Sequence, residues 1–201
     1  MDEGIGLFEA MYSQRALRYL KPDPVPDELI KRVIEAGTKA PSGGNSQRWG
    51  FVVIKDPAVK TRIAERYANT ARPAHDGPGG SSEARAAASA DHLAQHAAEV
   101  PVWILACTMH PGDDIHHGAS IYPAVQNMLL AALALGLGSV LTTRVRRGFE
   151  QEIRDWVGIP EGWVTAAMIP LGFPEDGHHY GPTNRTPAAE VTHWEQWGQR
   201  G

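Results

Sequence analysis

The stretch IYPAVQNMLLAALALGLGSVL, residues 121–141, decides how the rest of the chain is to be read. It is long enough to cross a bilayer, for which about 20 apolar residues suffice. Its own composition argues against that. Pro123, Gln126 and Asn127 fall in its first turns, glycines recur at 136 and 138, and no second span of this kind exists in the chain. A helix that is apolar nearly all round is otherwise one buried in a large core or a subunit interface. A helix over 119–136 at a subunit interface is therefore expected, followed by a short strand over 139–143.

Outward from that helix, PVWILACT (101–108) and WVTAAMIPLG (163–172) are near-continuous apolar runs, as in strands covered on both faces. A further strand is predicted over 49–54, and helices over 4–12, 27–38, 57–67, 91–98 and 149–157. This alternation indicates a three-layer α/β or α+β arrangement, and 201 residues suit a single domain with its own core. The net charge of −4 and pI near 6.1 argue against a general nucleic-acid binder. The lone cysteine, Cys107, lies inside PVWILAC, which excludes a disulfide framework and reads as a core position. The opening MDEGIGLFEA is acidic and lacks a continuous apolar stretch, so a cytoplasmic protein with no membrane partner is expected.

Two regions depart from the alternation. Residues 71–90, ARPAHDGPGGSSEARAAASA, hold no large apolar side chain and read as a mobile loop or a lid. The extension 174–201 has few aliphatics but carries Trp194 and Trp197, which must lie against the chain's own domain or a partner subunit.

Three polar features are candidates for chemistry. In SQRALRYL (13–20), Arg15 and Arg18 stand three apart at the end of a helical pattern, where they would share a face and could grip a phosphate, or simply be solvated. In APSGGNSQRW (40–49), Gly43 and Gly44 allow close backbone approach. Ser42, Asn45 and Gln47 crowd donors and acceptors into the same arc, which suits either the edge of a flat heterocycle or a capped turn. In GLGSVLTTRVRR (136–147), Thr142 and Thr143 end a strand, a common place for ligand contacts. Arg144, Arg146 and Arg147 follow as phosphate ligands or solubilising charges, the latter reading preferred for Arg146 and Arg147. The histidines at 110, 116, 117, 178 and 179 match no metal-ligand spacing. No nucleophile constellation is visible, so catalytic side chains and a metal are not expected and a cofactor would carry any chemistry.

Taken in order, these pieces resemble the nitroreductase family of FMN-dependent oxidoreductases. The resemblance rests on SQRALRYLKPDPVPDELIKRVIEAGTKAPSGGNSQRW, SIYPAVQNMLLAALALGLGSVLTT, IPEGWVTAAMIPLGFP and NRTPAAEVTHW. It implies a three-layer α+β fold with a mixed central sheet flanked by helices, in an intertwined homodimer with FMN at the interface. It implies cofactor contacts from Arg15, Ala16, Arg18 and Arg185 at the phosphate and ribityl chain. Pro41, Ser42, Gly43 and Asn45 would reach the ring from the other subunit, and Leu141, Thr142 and Thr143 would lie along it. The sequence departs from the family pattern at Gln14, where an arginine is usual, at Ala16, where a serine is usual, and at Arg48, where a proline is usual. The implied activity is ping-pong hydride transfer from NADH or NADPH to a small nitroaromatic or quinone acceptor. The alternatives are a reductive dehalogenase of the iodotyrosine type and a flavin-binding protein without turnover.

Overall fold

β2 (Val102–Met109) is buried along all but its last residue, and the alternation of its side chains divides the molecule into layers. The computed structural model describes residues 5–70, 81–109 and 115–201, with 82 and 115–117 as backbone only. Val102, Ile104 and Ala106 face one core with Ile30 and Val33 of α2 (Asp27–Thr38) and Val125, Met128 and Leu129 of α5 (Ile115–Ala134). Trp103, Leu105 and Cys107 face the other core. There they meet Ile63 and Tyr67 of α3 (Pro57–Ala68), Leu93 of α4 (Ser82–Gln95) and Ile153 of α6 (Glu150–Val157). Helices thus cover both faces of one sheet. The short α1 (Leu7–Ser13) and α7 (Ala188–Val191) complete the described helices.

The sheet order is β1-β2-β4-β3, with β1 at Trp49–Ile54, β3 at Gly138–Ser139 and β4 at Trp163–Gly172. Every pairing in it is antiparallel, where a mixed sheet was expected. The reason lies in the connections. α3 and α4 carry the chain out and back between β1 and β2, which reverses the strand. A single helix, α5, links β2 to β3, so those two run the same way. β4 inserts between them, and no like-directed strands are neighbours.

The strand expected over 139–143 is interrupted. Gly138 and Ser139 pair with Gly172 and Leu171, and Thr142 pairs alone with Met168 in the same register. The residue that this register sets opposite Val140 is Pro170, which has no N–H to give. The β2–β4 register shifts between Ala106 and Cys107, leaving Ala166 as an extra residue on β4. Beside that bulge the Glu150 carboxylate accepts from both the backbone N–H and the hydroxyl of Thr165, each at 2.9 Å.

One further expectation changes. Of the segment 71–90, residues 71–80 lie outside the described residues, but 82–90 are helical and open α4. Ser81 caps that helix by accepting from the Ala84 N–H at 3.1 Å, and alanine is the strongest intrinsic helix former. One face of α5 is buried inside its own chain, with Ile121, Ala124, Val125, Met128, Leu129, Ala132 and Leu133 all covered. Among the described side chains of α5, Ala119, Tyr122, Gln126 and Ala134 are exposed. No helix among the described residues is long and apolar enough to cross a membrane.

The α2–α5 contact is close because Gly37 has no side chain. A Cβ there would stand 2.8 Å from Met128 Cγ and 3.3 Å from the Ala124 carbonyl oxygen. Asn127 donates to the Ala36 carbonyl across the same seam at 3.2 Å. Gly37→Val is expected to lower unfolding stability by about 1–3 kcal/mol, the usual penalty for overpacking, read as a shifted denaturant midpoint at unchanged slope. Burial, with Glu150 nearby, pushes the Cys107 thiol up to about 12. Native protein at about pH 8 is therefore expected to resist a disulfide-exchange reagent that titrates one thiol per chain in denaturant.

Candidate functional site

α1 ends at Ser13, and Gln14 turns the chain into an extended path (φ −63°, ψ 124°). Leu17 then donates its N–H to the Ser139 carbonyl at 3.0 Å, and Leu20 forms a bridge with Pro174. Leu17 and Leu20 are buried, so this non-helical segment is held against β3. The helical face expected for Arg15 and Arg18 does not form. Three residues apart on such a chain, the two side chains diverge. Arg15 donates to the His179 carbonyl at 2.9 Å on the exposed side, whereas Arg18 donates to the Ser89 hydroxyl of α4 at 2.9 Å. Ala16, between them, is exposed.

Thr142 is fixed by two backbone hydrogen bonds with Met168, of 2.9 and 2.8 Å. Its Oγ1 accepts from the Tyr67 hydroxyl at 3.1 Å and from the Arg144 N–H at 3.3 Å. The Arg144 guanidinium lies over the Tyr67 ring, 4.9 Å from its centroid. Burial holds Arg18 below its ordinary value, and the neighbouring Arg144 adds to that. Burial likewise raises the Tyr67 phenol, against the opposing pull of the Thr142 hydrogen bond and of Arg144, Arg18 and Arg147. Arg18, Tyr67, Ser89, Thr142 and Arg144 thus converge under α3 and α4. Leu141 packs at the edge of the opposite core, and Thr143 is half-buried just before the 3-10 turn at Arg144–Arg146.

Arg185 stands apart from this group. It is exposed and donates to the Asn184 carbonyl at 2.9 Å. With Gln14, Tyr12 and Tyr180 it lines an open groove of about 1090 Å³ between α1 and residues 180–185. Tyr180 closes the floor, donating to the Leu137 carbonyl and accepting from the Ser139 N–H, each at 3.1 Å.

The loop Pro41, Ser42, Gly43 and Asn45 lies elsewhere in the same chain. Ser42 Oγ accepts from the Gln47 N–H at 3.1 Å, and the Gly43 N–H donates to Ser120 Oγ of α5 at 3.2 Å. The loop therefore leans on the α5 layer, across the sheet from Tyr67. Gly44, Asn45 and Gln47 all take positive φ (58°, 53° and 48°), and for the last two this is backbone strain held in an exposed loop. Pro41, Gly43 and Asn45 are exposed.

Sequence reasoning passed over Tyr67 and Ser89. Tyr67 falls four residues after Ile63, on the apolar stripe of α3, and reads as core; only its hydroxyl has a polar task. Ser89 lies in the alanine-rich stretch taken for a loop. His178, taken for an ordinary loop histidine, instead stacks on Tyr19 with ring centroids 3.8 Å apart, and His92 packs against Tyr19 at 4.2 Å.

The model of the Nitroreductase family matches residues 11–173. An NADH dehydrogenase of Thermus thermophilus is 28% identical over 215 aligned positions, covering 92% of this chain and 94% of its own. Iodotyrosine deiodinase 1 of Sus scrofa is 45% identical over 58 residues, which is 29% of this chain and 20% of that protein. A nitroreductase from Desulfitobacterium hafniense, solved with bound FMN, superposes with a TM-score of 0.72 at 20% identity, covering 94% of this chain and 97% of that one. The matched span runs from α1 through the end of β4 and takes in the arginine segment, the strained loop and the Thr142 strand end, so the chain belongs to the nitroreductase family.

Proposed function

We propose that this protein is an FMN-dependent oxidoreductase that draws on NADH or NADPH and reduces small nitroaromatic or quinone acceptors, working as a homodimer in the cytoplasm. The observation that carries this reading is the Thr142 hydroxyl. Its oxygen already accepts two hydrogen bonds, so its own proton is left to donate. A donor fixed at the end of a strand can favour charge that develops on a ring nitrogen during reduction.

The residues present fit FMN. The donor set is cationic, with Arg15, Arg18 and Arg185 available to a phosphate and its chain, and Arg144 Nη1 is buried without a hydrogen-bond partner. Gly43 and Gly44 have open space where a side chain would stand, which lets a flat ligand meet their backbone. When bound, FMN supplies hydride acceptance from a reduced nicotinamide and hydride delivery to the acceptor. The chain's own groups do the holding. In this reading Arg185 and Arg15 bind the phosphate end, where Gln14 and Ala16 offer less than the family's usual residues. Leu141, Thr142 and Thr143 support the ring, and Pro41, Ser42, Gly43 and Asn45 reach it from the second copy.

A second copy also accounts for the exposed apolar surface. Leu7, Phe8, Met11 and Tyr12 on α1 are each more than half exposed, and Trp197 is 92% exposed. Isolated groups of this size are ordinary on a surface, but a contiguous set on one helix marks an interaction face. A deiodinase-like reductive dehalogenation is the second reading, favoured by the 45% identity over 58 residues to the Sus scrofa protein.

The purified protein is expected to retain flavin absorption through dialysis and to bleach under anaerobic NADH or NADPH. Arg18→Gln and Arg185→Gln are each expected to weaken FMN binding about tenfold to a hundredfold, the worth of one charge-assisted hydrogen bond. The same preparation should turn over a quinone and leave a halotyrosine intact; rapid dehalogenation would promote the second reading, and a colourless protein would end both. Phe8→Asp with Tyr12→Asp is expected to convert a dimer into monomers in sedimentation, with loss of FMN.

A further inference from the structure

Tyr67 carries a hydroxyl where a plain ring would pack as well. The residue is 2% exposed, and its ring tilts against Trp103 with centroids 5.5 Å apart, a contact that phenylalanine could equally make. Burying the hydroxyl is unfavourable until it finds a partner. Among the described residues that partner is Thr142 Oγ1 alone, to which Tyr67 donates at 3.1 Å. The polar end of a core residue on α3 is thus committed to the strand end.

The consequence lies in the Thr142 proton. A hydroxyl oxygen has two acceptor positions and one proton that rotates to suit. Tyr67 fills one position and the Arg144 N–H the other, at 3.3 Å, which leaves the proton a single direction. Without Tyr67 the proton would have two directions to share. Arg144 bears on the same oxygen a second time, through its guanidinium over the Tyr67 ring, 4.9 Å from the centroid. A cation on that face draws electron density from the phenol. A phenol drained in this way donates more strongly, and the hydroxyl that accepts from it becomes a better donor in turn.

We propose that Tyr67 is a positioning residue that acts through Thr142: it confines the Thr142 proton to one direction and strengthens it as a donor, so that reduced FMN is held more tightly relative to oxidised FMN. This rests on the flavin-dependent reading above, in which Thr142 supports the ring. Tyr67 itself touches neither cofactor nor acceptor and needs no opening to solvent. Reduction places more electron density on the ring nitrogens, so a stronger and better aimed donor favours the reduced form.

The test is the preference for reduced over oxidised FMN, taken as the ratio of their dissociation constants and checked by the midpoint potential of the bound cofactor. It is measured in the wild type, Tyr67→Phe, Thr142→Val and the double variant. Thr142→Val is expected to lower the preference about tenfold, and Tyr67→Phe about threefold in the same direction, fractions of one hydrogen bond's worth. The double variant should match Thr142→Val alone, since Tyr67 has nothing to act through once the hydroxyl is gone. Replacing Tyr67 with 3-fluorotyrosine, nearly the same shape and a stronger acid, should raise the preference instead, and that measurement decides the matter should Tyr67→Phe fail to fold. An unchanged preference in Tyr67→Phe or with 3-fluorotyrosine, beside a lowered one in Thr142→Val, overturns the proposal and leaves the flavin reading standing. So do additive losses in the double variant, which would make the two residues independent. A wild-type preference in Thr142→Val removes the route through Thr142 and the proposal with it. A chain that takes up neither form of FMN ends the flavin reading and this proposal together.

Discussion

β4 reaches the middle of the sheet only because the β2–α5–β3 crossover leaves a place between its two strands, and the location of the site follows from that insertion. With β4 in place, β3 becomes an edge, and the segment after α1 can dock on it through Leu17 and Ser139. Pro170 then breaks the β3–β4 ladder opposite Val140, so Thr142 regains it for one further rung. The backbone of Thr142 is held by the sheet while the next residues are free to turn. Arg144 rides on that turn, and Tyr67 approaches from α3 to meet both. A rigid sheet thus positions one hydroxyl, and short irregular segments on either side of it supply the cations.

What could be read in advance follows the same division. β4 shows in the sequence because covered strands are continuous apolar runs, β1 shows as the apolar run Phe51–Ile54 although it is an edge strand, and their limits, 49–54 and 163–172, agree with the structure. Of α4 only the end showed, within the helix expected over 91–98; its first part was missed because alanine contributes little to an apolar pattern, and it stands on propensity and the Ser81 cap. The shared face expected for Arg15 and Arg18 assumed a helical period in a chain that leaves the helix at Gln14, where the spacing of three carries the opposite meaning. Thr142 could be singled out as a strand end, but its partner Tyr67 wears the pattern of a core residue and its neighbour Ser89 that of a loop.

The apolar helix α5 illustrates how one observation admits two causes. Its lack of a polar face suggested an interface; within the chain the sheet and α2 already cover Ile121, Val125, Met128 and Leu129, while Tyr122, Gln126 and Ala134 stay exposed. The close seam at Gly37 is what permits that second contact within a single chain. Exposed apolar side chains lie on α1 as well, where Met11 and Tyr12 line the groove that holds Gln14 and Arg185. A partner covering α1 would therefore also close that groove, and oligomerisation and ligand binding would be linked there.

Local charge and total charge answer different questions in this molecule. The net value of −4 bears on solubility and on non-specific partners. It says nothing of where like charges gather, because Arg18 and Arg144 come from distant parts of the chain and meet only through the fold. Several carboxylates are engaged elsewhere, Asp27 with Lys55, Glu152 with Arg66 and Glu175 with His92. An acidic protein can in this way gather cations beside the Thr142 strand end. Holding Arg18 and Arg144 near one another costs folding free energy, which the Tyr67 ring face under Arg144 and the Ser89 hydroxyl beside Arg18 offset in part.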